Sequence, residues 1–137
     1  MHAAGTFTVA AFDPTDLTPT PAIGTGLAVG VSTMTKQFTG EVSGRSATLF
    51  TAAFDQARGV GTYLAMESFE GTLGDRAGTV NFAHSATTLG DGGRAGDYFV
   101  IVPGSGTGDL AGITGSGGIA IDADGTHRIW FDYELPG

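Results

Sequence analysis

Glycine is scattered through this chain at a density that restricts what it can fold into. There are 24 glycines in 137 residues, against about 10 expected from average usage. They follow no G-X-Y period, so a collagen helix is excluded. Instead they interrupt the chain so often that almost no window is left for a long helix, because each interior glycine costs a helix roughly 1 kcal/mol. The arrangement suits many short strands joined by tight turns. The length fits one core, and the reading expects a single domain over residues 1–137. Apolar residues make up 41% and charged residues 15%. That is too apolar for a disordered chain, and it leaves the polar surface to Thr, Ser and backbone.

The charge balance excludes whole classes of partner. The formal net charge is −8, and the six basic residues, Lys36, Arg45, Arg58, Arg76, Arg94 and Arg128, are spread along the chain. Nucleic acids and anionic membranes require clustered basic side chains, so no nucleic-acid and no membrane partner is expected. No apolar run reaches the length of a spanning helix. The first residues, Met1 to Gly5, lack the basic and apolar segments of a secretory leader. Cysteine is absent, which removes disulfides, thiol nucleophiles and Cys-based metal sites and fits a cytoplasmic setting. His2, His84 and His127 show no metal-ligand spacing, and neither a metal nor a cofactor is expected.

Alternation of apolar and polar residues marks the strands. They are read over Thr6–Phe12, Leu27–Lys36, Phe38–Val42, Ala47–Phe54, Thr62–Glu70, Thr79–Leu89, Tyr98–Val102, Ile119–Asp122 and His127–Leu135. Gly44 is read as a bulge between two of these segments. Asp13 to Pro21 carries Pro14, Pro19 and Pro21, which keeps it out of a central ladder. Pro103 to Gly118 reads as a glycine-rich loop with one helical turn at Asp109–Ala111. Short, hairpin-like links between about eight strands predict an antiparallel meander closed into a barrel, which also removes exposed sheet edges. A two-sheet sandwich is the alternative.

Strand periodicity then sorts the faces. Between Thr62 and Leu89 the pairing depends on the turn. A four-residue loop at Gly74–Ala77 places Glu67 opposite His84, and a two-residue turn at Gly74-Asp75 places it opposite Phe82. Both registers put Tyr63, Glu67, Phe69, Phe82 and His84 on one face, the expected barrel interior. Ile129, Phe131 and Tyr133 read as interior in the last strand. Trp130, Leu64 and Met66 read as exterior, either as a homo-oligomer contact or as a partly covered surface tryptophan with its neighbours.

An interior carboxylate must be paired, so Glu67 is expected to bond His84, Tyr63 or water. Such a pair serves general acid–base chemistry or anchors a polar ligand head; equally, it can be a buried brace that fixes register. Glu67 and His84 are therefore the catalytic candidates, and Tyr63, Phe69, Phe82, Phe131 and Tyr133 the ligand-lining candidates. The run Pro103-Gly104-Ser105-Gly106-Thr107-Gly108 lacks the Lys and the following helix of a phosphate loop. Ser85 and Ser105 lack a nucleophile elbow. Asp122-x-Asp124-Gly125 lacks the downstream Glu of a calcium loop.

Several motifs, in order along nearly the whole chain, carry a resemblance. They are Lys36-x-Phe38-x-Gly40-Glu41, then Glu67-x-Phe69-Glu70-Gly71-Thr72-Leu73 with Arg76-x-Gly78 and His84. Val102-Pro103-Gly104-Ser105-Gly106-Thr107-Gly108-Asp109-Leu110-x-Gly112 follows, and Asp132-Tyr133-x-Leu135-Pro136 ends the set. The chain resembles the bacterial DUF3224 proteins of unknown function, which are themselves similar to the eight-stranded allene oxide cyclase and lipocalin-like barrels. The resemblance implies that fold and carries no catalytic assignment. Three functions stay open: a lumen that binds a small apolar molecule, an isomerase or cyclase that uses the same lumen, and a filled barrel acting as a structural or oligomerisation module. The size of the lumen separates the third from the others.

Overall fold

The computed structural model describes residues 1–137. Eight strands run in chain order: β1 His2–Pro14, β2 Val29–Gly40, β3 Val42–Asp55, β4 Val60–Leu73, β5 Arg76–Leu89, β6 Arg94–Ile101, β7 Thr114–Ile121 and β8 His127–Glu134. Each is antiparallel to its neighbour, and β8 returns to β1, so the meander closes into a barrel. The sandwich alternative is not the fold.

Several boundaries differ from those read in the sequence. Leu27–Lys36 and Phe38–Val42 do not form two pieces. Residues 29–40 are one strand, and the turn falls at Gly40-Glu41. Gly44 is not a bulge, because it stays in register between Phe38 and Gly71. The irregularities lie instead at Val9/Ala11 in β1 and Ser85/Thr87 in β5. Asp13 and Pro14 do join the ladder, opposite Thr33 and Ser32 at the very end of β1, where a missing N–H disrupts little. β7 starts at Thr114, inside the stretch read as loop, and the helical turn is Gly108–Leu110. Tyr98 is exposed on the outer wall, so β6 is not covered on both faces.

Burial alternates along β4 and β5 as period-two pleating requires. Ala65, Glu67 and Phe69 face inward from β4, and Val80, Phe82, His84 and Ala86 from β5. Leu73 pairs with Arg76, which makes Gly74-Asp75 the two-residue turn and sets Glu67 opposite Phe82. Gly74 has φ +62°, as a hairpin turn of this length demands.

The two ends of the barrel differ. At one end lie the start of β1, the Gly40-Glu41 and Gly74-Asp75 turns and the end of β8. This end is filled by one cluster in which Ala3, Val42, Leu73, Ile129 and Tyr133 pack with the phenylalanines Phe7, Phe38, Phe69, Phe82 and Phe131. The segment 102–113 lies across β5 here, held by Val102 N–H to Asn81 O at 2.9 Å and Thr107 N–H to Thr79 O at 2.9 Å. It contributes Leu110 and Ile113, both fully buried, as a plug. The other end lies among the connections 15–28, 56–59 and 90–93 and is open.

Candidate functional site

Glu67 lies at mid-barrel, where the packed end gives way to the open one, and is fully buried. A carboxylate there stays ionised only if cations and donors replace the water it loses. β2 supplies Lys36, whose Nζ donates to Glu67 Oε2 at 2.6 Å. β3 supplies Ser46, whose Oγ donates to Oε1 at 2.7 Å. β5 supplies His84, whose Nε2 is also bonded to Oε2. Lys36 is itself buried and packs over the Phe7 ring, 4.7 Å from its centroid, a favourable place for an ammonium. Burial pushes the Glu67 pKa up, but the His84 hydrogen bond and the Lys36 charge together outweigh it and hold the group at about 2.

The same geometry sets the histidine. Burial lowers its pKa, and the nearby Lys36 charge adds to that against the pull of Glu67, so His84 is neutral at pH 7. Its Nε2 faces a carboxylate and must carry the proton, which leaves Nδ1 as an acceptor. The Tyr63 hydroxyl therefore donates to Nδ1, at 2.8 Å. Burial raises the Tyr63 pKa, although the Arg94 guanidinium beside it favours the phenolate. The result is a directed chain, Tyr63 to His84 to Glu67, closed by Lys36.

Tyr63 is where this chain reaches open space. The open end of the barrel holds a cavity of about 940 Å³. Its apolar wall includes Phe12, Leu27, Phe50, Phe54 and Ala86, and Tyr63 forms part of its inner surface. The Tyr63 ring is stacked on Phe50 at 5.1 Å and 14°, and Phe12 meets Phe50 edge-on at 5.6 Å. A second, small cavity of about 60 Å³ lies in the wall between β5, β6 and β7 and is lined by His84, Arg94, Asp97 and Phe99 among others. Tyr63 is the one residue that borders both.

The sequence-nominated residues are thus distributed as follows. Glu67 and His84 are bonded to each other, and Tyr63 joins them to the large cavity. Phe69, Phe82, Phe131 and Tyr133 are buried in the packed core, and none of them borders that cavity. Lys36 and Ser46 were missed. The signal for Lys36 was its place between Met34 and Phe38 on the inward row of β2, where a lone cation needs a buried anion. Ser46 and Thr48 likewise occupy the inward row of β3. No cluster of His, Cys, Asp and Glu is arranged to hold a metal ion, and no helix is long and apolar enough to cross a membrane.

Fold and site define a closed eight-stranded barrel with a buried Lys–Glu–His network beneath an open mouth. The chain belongs to the DUF3224 family of proteins of unknown function, whose family model matches residues 3–133. It is similar to a protein of unknown function from the same family in Shewanella oneidensis MR-1, whose crystal structure superposes with a TM-score of 0.83. The two share 28% sequence identity over 100% of this chain and 98% of that one. No curated protein matches the chain.

Proposed function

We propose that the protein binds a small, largely apolar molecule in the open end of its barrel. The observation that carries this reading is the cavity of about 940 Å³ with its aromatic wall. That size lies within the range of small-molecule sites, roughly 300–1,000 Å³, and such sites combine apolar walls with a few fixed polar groups. Here the polar group is the Tyr63 hydroxyl, held by His84 and, through it, by Glu67. Ala52 borders the cavity from β3, so Ala52→Trp should fill it while leaving the buried network intact. The test is fluorescence of N-phenyl-1-naphthylamine, a neutral apolar probe. Saturable binding to the wild type that Ala52→Trp abolishes supports the reading. No binding, or binding that Ala52→Trp leaves unchanged, overturns it.

The hydrogen-bonded chain favours a second reading, an isomerase or cyclase in which Tyr63 is the residue that meets substrate. A proton leaving Tyr63 would pass to His84, with the Glu67 carboxylate stabilising the imidazolium, as in other base–orienter pairs. Lys36 weakens that stabilisation because it already shares the carboxylate oxygen. Under this reading Tyr63→Phe abolishes turnover of a ligand recovered by native mass spectrometry while leaving it bound. A ligand returned unaltered by the wild type removes the catalytic reading and leaves the binding one.

A further inference from the structure

Four large apolar side chains stand on one part of the outer wall. Leu49 of β3, Leu64 and Met66 of β4 and Tyr98 of β6 are each 49–59% exposed. The register makes them a single patch. Leu49 pairs with Met66, and Met66 with Ala83 of β5. In the adjoining row Leu64 pairs with Ser85, and Ser85 with Tyr98. Side chains opposite one another on one face of a sheet are close enough to touch. Trp130, read from the sequence as part of the same surface, is not. It stands on β8, across the ring from β4, and its indole lies so close over Gly118 that a Cβ there would meet it at 2.2 Å.

The wall around the patch carries no charge. The outward positions from Ala47 to Ala53 in β3, Thr62 to Ser68 in β4 and Asn81 to Thr87 in β5 hold only apolar, hydroxyl and amide side chains. The Arg45–Glu70 ion pair marks one border of this wall. This is a pronounced gap for a chain of net charge −8. At roughly half exposure the four side chains leave on the order of 400 Å² of apolar surface, and contiguous patches of about 300–600 Å² on a single chain are often contact sites. Weak specific pairs bury up to about 600 Å² on each partner, a figure the patch reaches with the alanines, threonines and serines that surround it.

We propose that the outer wall of β3, β4, β5 and β6 is the contact between two copies of this chain, related by a two-fold axis. Charge decides the occupant. Two molecules of net charge −8 repel one another, and a wall without charges is where they can meet at the lowest electrostatic cost. A two-fold contact sets the same patch against itself, and an apolar patch is complementary to itself. A basic partner would be drawn to the acidic surface elsewhere, and an anionic lipid surface would repel the chain. Two twisted sheets pack face to face with their strands about 30° apart, so Leu64 and Met66 of each copy would lie against the same strand of the other. None of the four patch residues borders the large cavity, so the pairing does not rest on the reading of that cavity as a ligand site.

Sedimentation equilibrium of the wild type, from micromolar to millimolar concentration, tests the contact. A reversible monomer–dimer equilibrium is expected. Leu64→Asp should weaken it at least about a hundredfold, because symmetry brings the two new charges together, and Tyr98→Asp should weaken it as well. Thr8→Asp adds the same charge to an exposed position of β1, outside the patch, and should leave the dimer nearly unchanged. Amide shifts of the wild type followed against concentration keep the test intact if a variant does not fold; those that move should map to the outer wall of β3 to β6. A wild type that stays monomeric overturns the proposal and leaves the wall to a different partner. A dimer that Leu64→Asp and Tyr98→Asp leave intact, or one whose moving shifts lie elsewhere, also overturns it.

Discussion

Glu67 shows how a single side chain can be both indispensable and chemically quiet. Its oxygens are taken by Lys36, Ser46 and His84, so its charge is stabilised but not free to act directly on a ligand. Breaking a buried ion pair from one side leaves an uncompensated charge and costs about 3–5 kcal/mol, whereas removing both partners costs far less. Lys36→Met should therefore destabilise by about that amount, and adding Glu67→Gln should recover a large part of it. Urea unfolding of the three variants measures this, and an additive double mutant would count against the pairing. Lys36→Met should also raise the His84 pKa, since the Lys36 charge disfavours the imidazolium; the ring-proton shifts of His84 in an NMR titration report it. The pH dependence of the wild type follows from the same groups. The folded-state pKa of Glu67 is held down at about 2, below its ordinary value of 4.5, so its contribution is present above 4.5 and is lost as pH falls towards 2. That of His84 is lowered from 6.5, so the unfolded chain takes up its proton first and stability starts to fall below 6.5. Both slopes have the same sign. Urea midpoints should be flat around neutrality and decline on acidification in two stages, the first vanishing in His84→Gln.

At the scale of strands, the glycine pattern held two signals rather than one. Some glycines do make turns, as at Gly74, but others lie inside strands. Gly44, Gly71 and Gly78 are aligned across β3, β4 and β5. A Cβ on Gly71 would lie 2.0 Å from Ser43 O and 2.8 Å from Gly44 Cα, so a side chain there would force the strands apart where the sheet coils to close. Gly71→Ala should cost more than the 1–3 kcal/mol usual for backbone strain, whereas Gly30→Ala, with nothing within 4 Å of its Cβ, should be close to neutral; urea midpoints compare them. The presence of eight strands was legible because Thr, Val and Phe alternate in most of them. The first half of β7 was not, because Thr114-Gly115-Ser116-Gly117-Gly118 has too few side chains to alternate, and only its end at Ile119–Ile121 was read as strand. The interior face of β4 and β5 was legible because the hairpin register keeps one parity under either turn length. Lys36 and Ser46 were not, because their role depends on β2 and β3 lying beside Glu67, which no local pattern encodes. β7 also leaves its mark on the closed sheet. It meets β6 at a single register pair, Val100 with Ser116, while β3 and β4 pair along their whole length. Amide exchange should therefore be fastest along the β6–β7 seam and slowest in β3 and β4; uniform protection around the ring would contradict the weak seam.

Across the whole molecule, stability and ligand capacity occupy opposite ends of one barrel. The end bearing Phe69, Phe82, Phe131 and Tyr133 is packed without a gap that the main cavity reaches, and the plug at Leu110 and Ile113 seals it. The end bearing Phe12, Phe50 and Tyr63 encloses space. The Lys36–Glu67–His84 network is the boundary, and its polar atoms can be satisfied there because strands on three sides each contribute one partner. This division makes a prediction that separates the two halves. Phe131→Ala, with Phe131 fully buried between Phe82 and Phe99, should cost about 3–5 kcal/mol, the usual loss for truncating a core aromatic. Ala52→Trp adds bulk to empty space rather than to a packed core, so it should cost less than about 1 kcal/mol, below the 1–3 kcal/mol typical of overpacking, or even stabilise. If both substitutions destabilise to the same degree in urea, the open end is packed in solution, and the barrel has no room for a ligand. If only Phe131→Ala does, the cavity is a tolerated void in a fold whose stability lies elsewhere, which is the condition under which a binding site can vary without the barrel coming apart.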